Sequence, residues 1–302
     1  MTPSLRHTVV FDVHGKGPAI CRKIRDTGLV DAVIIPVRWD EFVTRTGGFD
    51  TATISRADID WPGVRHIFRF ALLTPQVVTP QGVTKASSNW AAVERWGLAL
   101  QKDVLAYMGA LPVGGFIIPV GHLSGTNIAP DAAQSRLCLR DEWNVTKWKT
   151  WLLRSIDTFI ASGDMPFLQV VPQVIRGEPL NSFMLNSVLC PAVSKGNVRP
   201  IWRGLNDDPT WPTEAWTLAD AAAAGNVEIL FGDDWGPYLP PSERKGRRAN
   251  RDETYLSAAL SKFPGLPGRS GLILQASTLL ACVKDHPTYN PKVANLLRAF
   301  RG

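Results

Sequence analysis

The feature that most constrains this chain is a series of eight short apolar runs set along it at intervals. They read Thr8–Val13 (TVVFDV), Ala32–Arg38 (AVIIPVR), His66–Leu72 (HIFRFAL), Gly115–Val120 (GFIIPV), Phe167–Val171 (FLQVV), Val198–Arg203 (VRPIWR), Val227–Phe231 (VEILF) and Leu272–Ala276 (LILQA). Near-continuous hydrophobicity of this kind is what parallel strands covered on both faces require. Helical patterns fall between many of the runs. Pro18–Thr27 has Pro in its first turn and Gly28 at its stop. From Asn89 onward Trp90, Val93, Gly97, Leu100 and Val104 share a face, and Asn144 caps a segment striped by Trp148, Leu152, Ile156 and Phe159. Pro212–Ala224, Asp252–Phe263 and Tyr289–Phe300 complete the set, whereas Trp39–Arg65 and Val174–Asn197 read as loops with short helical pieces. Strands alternating with helices predict a parallel sheet, and a count of eight favours closure. The expected fold is a single (β/α)8 TIM barrel, α/β in class, spanning residues 1–302 as one domain. An open doubly wound parallel sheet is the alternative.

The bulk properties fit one large domain. The chain has 302 residues, 45% of them hydrophobic and 20% charged, with a formal net charge of +6. The basic excess is spread along the chain apart from one cluster, Glu243–Arg251, which reads as a solvated loop. A nucleic-acid partner is therefore not expected. Cys21, Cys138, Cys190 and Cys282 form no CxxC pair and have no histidine at ligand spacing, so they read as buried free thiols; no metal and no cofactor is implied. Met1–His7 carries no apolar signal core, and no run of about 18 apolar residues occurs anywhere, so no membrane span is expected. The expected location is cytoplasmic, or within an assembly such as a virus particle that leaves a cell by lysis.

In barrels of this type, active sites lie at the C-terminal ends of the strands, which narrows the search to the residues just after each run. Beyond the first stand His14, Gly15, Lys16 and Gly17, a glycine pair ahead of a helix that could cradle a phosphate or form a plain tight turn. After the second come Arg38, Trp39 and Glu41, then Gly48, Phe49 and Asp50; the third carries Arg69, a charge within an apolar strand that calls for an acidic partner. The fourth leads to His122 and the fifth to Gln173, while the sixth ends in Trp202 and Arg203. The seventh is Val227–Phe231, with Gly232, Asp233, Asp234 and Trp235 directly after it. If Val227, Ile229 and Phe231 pack on the helices, strand alternation points Glu228 into the barrel, with Arg69 or Arg203 as its expected partner. Eleven tryptophans are present. Trp39, Trp202 and Trp235 stand at predicted strand ends, where an aromatic face can stack on a sugar ring, whereas Trp90, Trp148 and Trp151 fall on helices and read as packing.

Trp39, Glu41, the Gly48-Phe49-Asp50 turn and Arg69 together resemble the barrel glycoside hydrolases of the large retaining superfamily that includes cellulase-like and β-galactosidase-like enzymes. The resemblance is one of pattern and covers about Leu29 to Ser277. It implies a carbohydrate substrate, an acid/base glutamate after the fourth strand and a nucleophile after the seventh. Retaining chemistry of this kind needs two carboxyl groups about 5–5.5 Å apart. The fourth segment here has no Asn-Glu pair, and its nearest glutamate is Glu142, in Arg140-Asp141-Glu142-Trp143. The implied catalytic residues are Glu142 and Glu228, with Asp233 or Asp234 as alternatives for the second role. The implied substrate-binding residues are Arg38, Trp39, Glu41, Arg69, His122, Gln173, Trp202, Arg203, Asp233, Asp234 and Trp235. Two other readings stay open. One is a non-catalytic barrel of the same descent with protein partners in a larger assembly, for example a phage tail tip. The other is an unrelated barrel enzyme that holds a phosphate-bearing substrate at His14–Gly17.

Overall fold

The computed structural model describes residues 7–13, 16–37, 61–70, 113–119, 157, 161, 167–170, 186, 189–203, 213–232 and 253–302. Eight parallel strands close into a barrel in sequence order: β1 (Thr8–Asp12), β2 (Ala32–Val37), β3 (Arg65–Phe70), β4 (Val113–Pro119), β5 (Phe167–Val170), β6 (Arg199–Arg203), β7 (Ile229–Gly232) and β8 (Ser270–Leu274). Closure is made by β8 returning to β1, with Val9 opposite Leu272 and Phe11 opposite Leu274. The expected closed barrel is therefore the observed fold, and the open sheet is not. All eight apolar runs form strands, with ends shifted by up to two residues; the eighth moves to Ser270–Leu274, and the seventh begins at Ile229 and leaves Glu228 just before it.

Alternation along the strands sorts the core into two layers. Val10, Ala32, Ile34, Ile67, Phe167, Ile201, Leu230 and Ile273 fill the barrel interior. Their sequence neighbours Val9, Phe11, Val33, Ile35, Trp202, Ile229, Phe231, Leu272 and Leu274 face outward into a second cluster. There they meet the helices: Ile24 of α1 (Pro18–Arg25), Val193 of α2 (Cys190–Ser194), Leu218 and Ala222 of α3 (Thr213–Ala224), Leu256 of α4 (Glu253–Leu260), Leu279 of α5 (Ala276–Leu280), and Val293, Leu297 and Phe300 of α6 (Pro291–Arg301). A strand buried on both faces has no polar side to display, which is why these runs lack a period of two. Removing a large side chain such as Phe231, fully buried here, costs about 3–5 kcal/mol in such packing.

The helix ends follow local chemistry. Gly17 caps α1 with Pro18 in its first turn, Arg22, Lys23 and Arg25 crowd its last, and Gly28 reverses the chain at φ +64°. The Asn290 side chain accepts the Lys292 N–H at 3.0 Å to start α6. The same helix is tied to the barrel at its end. Arg301 Nη2 lies 2.6 Å from Asp31 Oδ1, while Asp31 Oδ2 accepts the Val9 N–H at 2.9 Å. Two short helices are less legible in the sequence: α2 lies within the stretch read as loop with helical pieces, and α5 comes after β8 without a capping side chain. No helix among the described residues is long and apolar enough to cross a membrane.

Candidate functional site

Because every strand runs the same way, the barrel has one end made of strand starts and another made of strand finishes. Loops at the finishing end build the sites of such barrels; the starting end serves stability. Three levels of side chain can be traced between them on β1. Thr8 begins the strand, Val10 sits in the interior cluster, and Asp12 ends it.

Glu228 belongs to the starting end. Val227, Ile229 and Phe231 lie in the outer cluster, so the expected inward direction of Glu228 holds, yet it precedes β7 rather than standing at its end. Its partner is neither Arg69 nor Arg203 but Arg65, the first residue of β3. Arg65 Nη1 donates to Oε2 at 2.7 Å and Nη2 to Oε1 at 3.1 Å. The Thr8 hydroxyl donates to Oε1 at 2.7 Å. The correction has a simple cause: Arg69 and Arg203 stand near the finishing ends of their strands, about four residues further along, and a strand advances roughly 3.3 Å per residue. The fork geometry engages both carboxylate oxygens, a charge-assisted arrangement stronger than neutral hydrogen bonds. Phe167 completes this layer, with the Arg199 guanidinium 3.9 Å and that of Arg65 5.9 Å from its ring centroid. The result is an ionic and aromatic plug across the barrel's starting end.

Trp202 is also relocated. Ile201 occupies the interior cluster, so its neighbour Trp202 faces the helices, 3% exposed. Its ring packs in the outer core and cannot serve as a sugar platform from there; its indole N–H has no hydrogen-bond partner among the described residues. The backbones of Arg69 and Arg203 do stand near the finishing end. Arg69 pairs in register with Pro36 and Ile117, and Arg203 with Gly232. Arg38, Trp39, Glu41, His122, Glu142, Gln173, Asp233, Asp234 and Trp235 lie outside the described residues, as do Gly48, Phe49, Asp50, His14 and Gly15.

One inward residue is not among the sequence-derived candidates. Asp12 ends β1 on the inward parity of Thr8 and Val10, opposite Ile34 in register, and is 8% exposed. The signal is present in TVVFDV: the alternation applied to Glu228 places Asp12 inside the barrel as well, and at the end where sites form. Gln169 of β5 stands two residues beyond interior Phe167, as Arg69 stands beyond Ile67 and Arg203 beyond Ile201. The register thus sets Asp12, Arg69, Gln169 and Arg203 at comparable levels above an apolar floor.

The thiols are structural in character. Among the described residues Cys21 and Cys282 are buried and Cys190 is half-buried, each an unbridged thiol. Burial pushes the Cys282 thiol up to about 11, against the opposing effect of Arg298. Among the described residues no group of three or more His, Cys, Asp or Glu side chains is placed to hold a metal ion.

No family model matches the chain, and no curated protein matches it. Solved structures do. The catalytic domain of β-amylase from Paenibacillus polymyxa aligns with a TM-score of 0.63 at 10% identity, over 97% of this chain and 97% of that one. A family 5 xyloglucanase from Paenibacillus pabuli aligns at 0.50 and 10% identity, over 95% and 90% of the two chains. A family 5 glycoside hydrolase from Prevotella bryantii, solved with a xyloglucan tetradecasaccharide, aligns at 0.50 and 14% identity, over 95% and 86%. At these identities the likeness is one of fold: the chain has the barrel architecture that these glycoside hydrolases share.

Proposed function

We propose that this chain is a glycosidase-like barrel that takes a carbohydrate at the finishing end of its strands and cuts it with a carboxylate pair. The observation that carries the reading is the match in architecture to a β-amylase catalytic domain over 97% of both chains. Glu142 is the proposed acid/base. Since Glu228 is engaged at the opposite end, the second carboxyl falls to Asp233 or Asp234, which come directly after β7 in the chain. In this scheme one carboxyl, kept protonated, gives its proton to the glycosidic oxygen. The other, ionised, attacks the anomeric carbon or activates water, according to the gap between them. Arg38, Trp39, Glu41, Arg69, His122, Gln173, Arg203 and Trp235 are proposed to line the surrounding cleft.

A specific observation favours a second reading. Glu228, the residue expected to be the nucleophile, is instead shut into an ion pair at the opposite end of the barrel, as expected of a non-catalytic barrel that binds glycan or serves as a structural component, for example of a phage tail tip. One experiment separates the two. The full chain is incubated with starch, xyloglucan and mixed-linkage β-glucan, and new reducing ends are counted beside binding measured by affinity electrophoresis in the same polysaccharides. Cleavage abolished by Glu142→Gln supports the hydrolase. Retardation without cleavage supports the binding barrel. Neither cleavage nor retardation sinks both.

A further inference from the structure

We propose that His7 is the pin of an acid-sensitive latch, which holds the C-terminal helix α6 over the seam where β8 returns to β1 at neutral pH and loosens it in acid. Geometry is the ground. His7 directly precedes β1, and its ring lies face to face on Phe300 of α6, with centroids 4.8 Å apart and planes 10° apart. The same ring meets Phe263 edge-on at 5.5 Å, in the short 3-10 turn Phe263–Gly265. Its Nδ1 lies 3.0 Å from the hydroxyl of Ser270, the first residue of β8. Phe263 in turn stands edge-on to Phe300 at 4.7 Å and to Phe231 of β7 at 5.7 Å. One imidazole thus joins the start of β1 to the start of β8, to the turn before it and to the last helix.

Chemistry makes the pin sensitive. A neutral imidazole suits the faces and edges of phenyl rings and one hydroxyl; an imidazolium brings a charge and a second N–H donor into the same place. The elements packed on His7 bring mostly like charge. Arg298 and Arg301 come with α6, Lys262 precedes the turn and Arg269 precedes β8. Among the described residues the acids of this end are engaged, Asp31 by Arg301 and Glu228 by Arg65. Burial accordingly holds the imidazole below its ordinary value of 6.5, with the Ser270 bond opposing. A histidine lowered in this way takes its proton first where the contact is open, so acid favours the open form as pH falls through 6.5 towards the lower docked value. Opening presents the apolar stripe Val293, Leu297 and Phe300 of α6.

The test is hydrogen–deuterium exchange by mass spectrometry on the full chain, corrected for the intrinsic exchange rate at each pH. In wild type, protection of the α6 peptide should fall by about threefold or more between about pH 7.5 and about pH 5, while the β6 peptide keeps its protection. His7→Phe retains an aromatic ring and loses the proton, so its α6 protection should be equal at both. Equal protection in wild type overturns the inference, as does a fall of the same size in β6, which is global unfolding. An equal fall in His7→Phe also overturns it, assigning the effect to Asp31 or Glu228. Should His7→Phe not fold, an NMR titration of the His7 Cε1–H in wild type replaces it. A midpoint below 6.5 is expected; one at or above it, as attraction of the imidazolium to the Phe300 face would give, overturns the inference.

Discussion

Replacing Glu228 by glutamine removes the charge that holds Arg65 across the starting end of the barrel. The carboxylate accepts three bonds, two from Arg65 and one from Thr8. Its side chain is 10% exposed and that of Arg65 is 30% exposed. Breaking a fully buried pair by removing one member costs about 3–5 kcal/mol. Arg65 can recover part of that from water, which lowers the expectation to about 2–4 kcal/mol. For a domain of this size that corresponds to a fall in Tm of about 3–6 °C. The assay is a thermal melt by circular dichroism, with urea unfolding to confirm the difference. Arg65→Met should cost a similar amount. The double variant Arg65→Met, Glu228→Leu should lie within about 1–2 kcal/mol of wild type, because an apolar pair of similar volume carries no desolvation penalty. Glycan cleavage or binding per folded molecule should stay unchanged in Glu228→Gln. A variant that melts with wild type yet loses cleavage more than a hundredfold would refute the reasoning and return Glu228 to the chemistry.

Three further outcomes are expected. A methyl group at Gly271 would stand 2.7 Å from Leu230 Cδ2 and from the Thr8 carbonyl oxygen, where the backbone cannot yield, so Gly271→Ala should cost about 1–3 kcal/mol in a urea midpoint. His7 stacks on Phe300 at 4.8 Å, and burial lowers its pKa from 6.5 against the opposing bond to Ser270. The unfolded chain therefore binds its proton first, so this contribution to stability is fully present above pH 6.5 and falls as pH drops towards the lower folded value; His7→Phe should flatten that part of the stability–pH curve. Cys282, buried and pushed up to about 11, should resist iodoacetamide at pH 8 until the chain is unfolded, as peptide mass spectrometry would show.

The barrel is legible because eight apolar runs can all be satisfied only by strands covered on both faces. The same property hides the levels within it. In TVVFDV and VEILF, strand alternation groups the residues by face, but it carries no mark of which end of the barrel each one reaches. Alternation puts Glu228 on the correct face but not at the correct end, since the strand boundary at Ile229 is fixed by pairing with β6 and β8. Arg65 is hard to see because it precedes its apolar run by one residue, at the boundary where local pattern is weakest. Trp202 looks like a strand-end aromatic, yet one step of alternation from Ile201 turns it towards the helices. Asp12 is readable by the rule that applies to Glu228, but a single acid within an apolar run resembles noise. Conversely, Gly28 announces the stop of α1 plainly, because a positive φ is a local requirement that depends on no distant partner.

The central claim is that carbohydrate is handled at the finishing end by a carboxyl pair that excludes Glu228. Its most direct test is an experimental structure of the chain with a bound xyloglucan or malto-oligosaccharide, in which the gap between carboxyl groups across the glycosidic oxygen is measured. The account predicts sugar at the finishing end, with Glu142 and either Asp233 or Asp234 on opposite sides of the bond, separated by about 5–5.5 Å for retention or about 6.5–9.5 Å for inversion. Sugar seated beside Arg65 and Glu228, or at the finishing end with no pair of carboxyls converging on it, would contradict it.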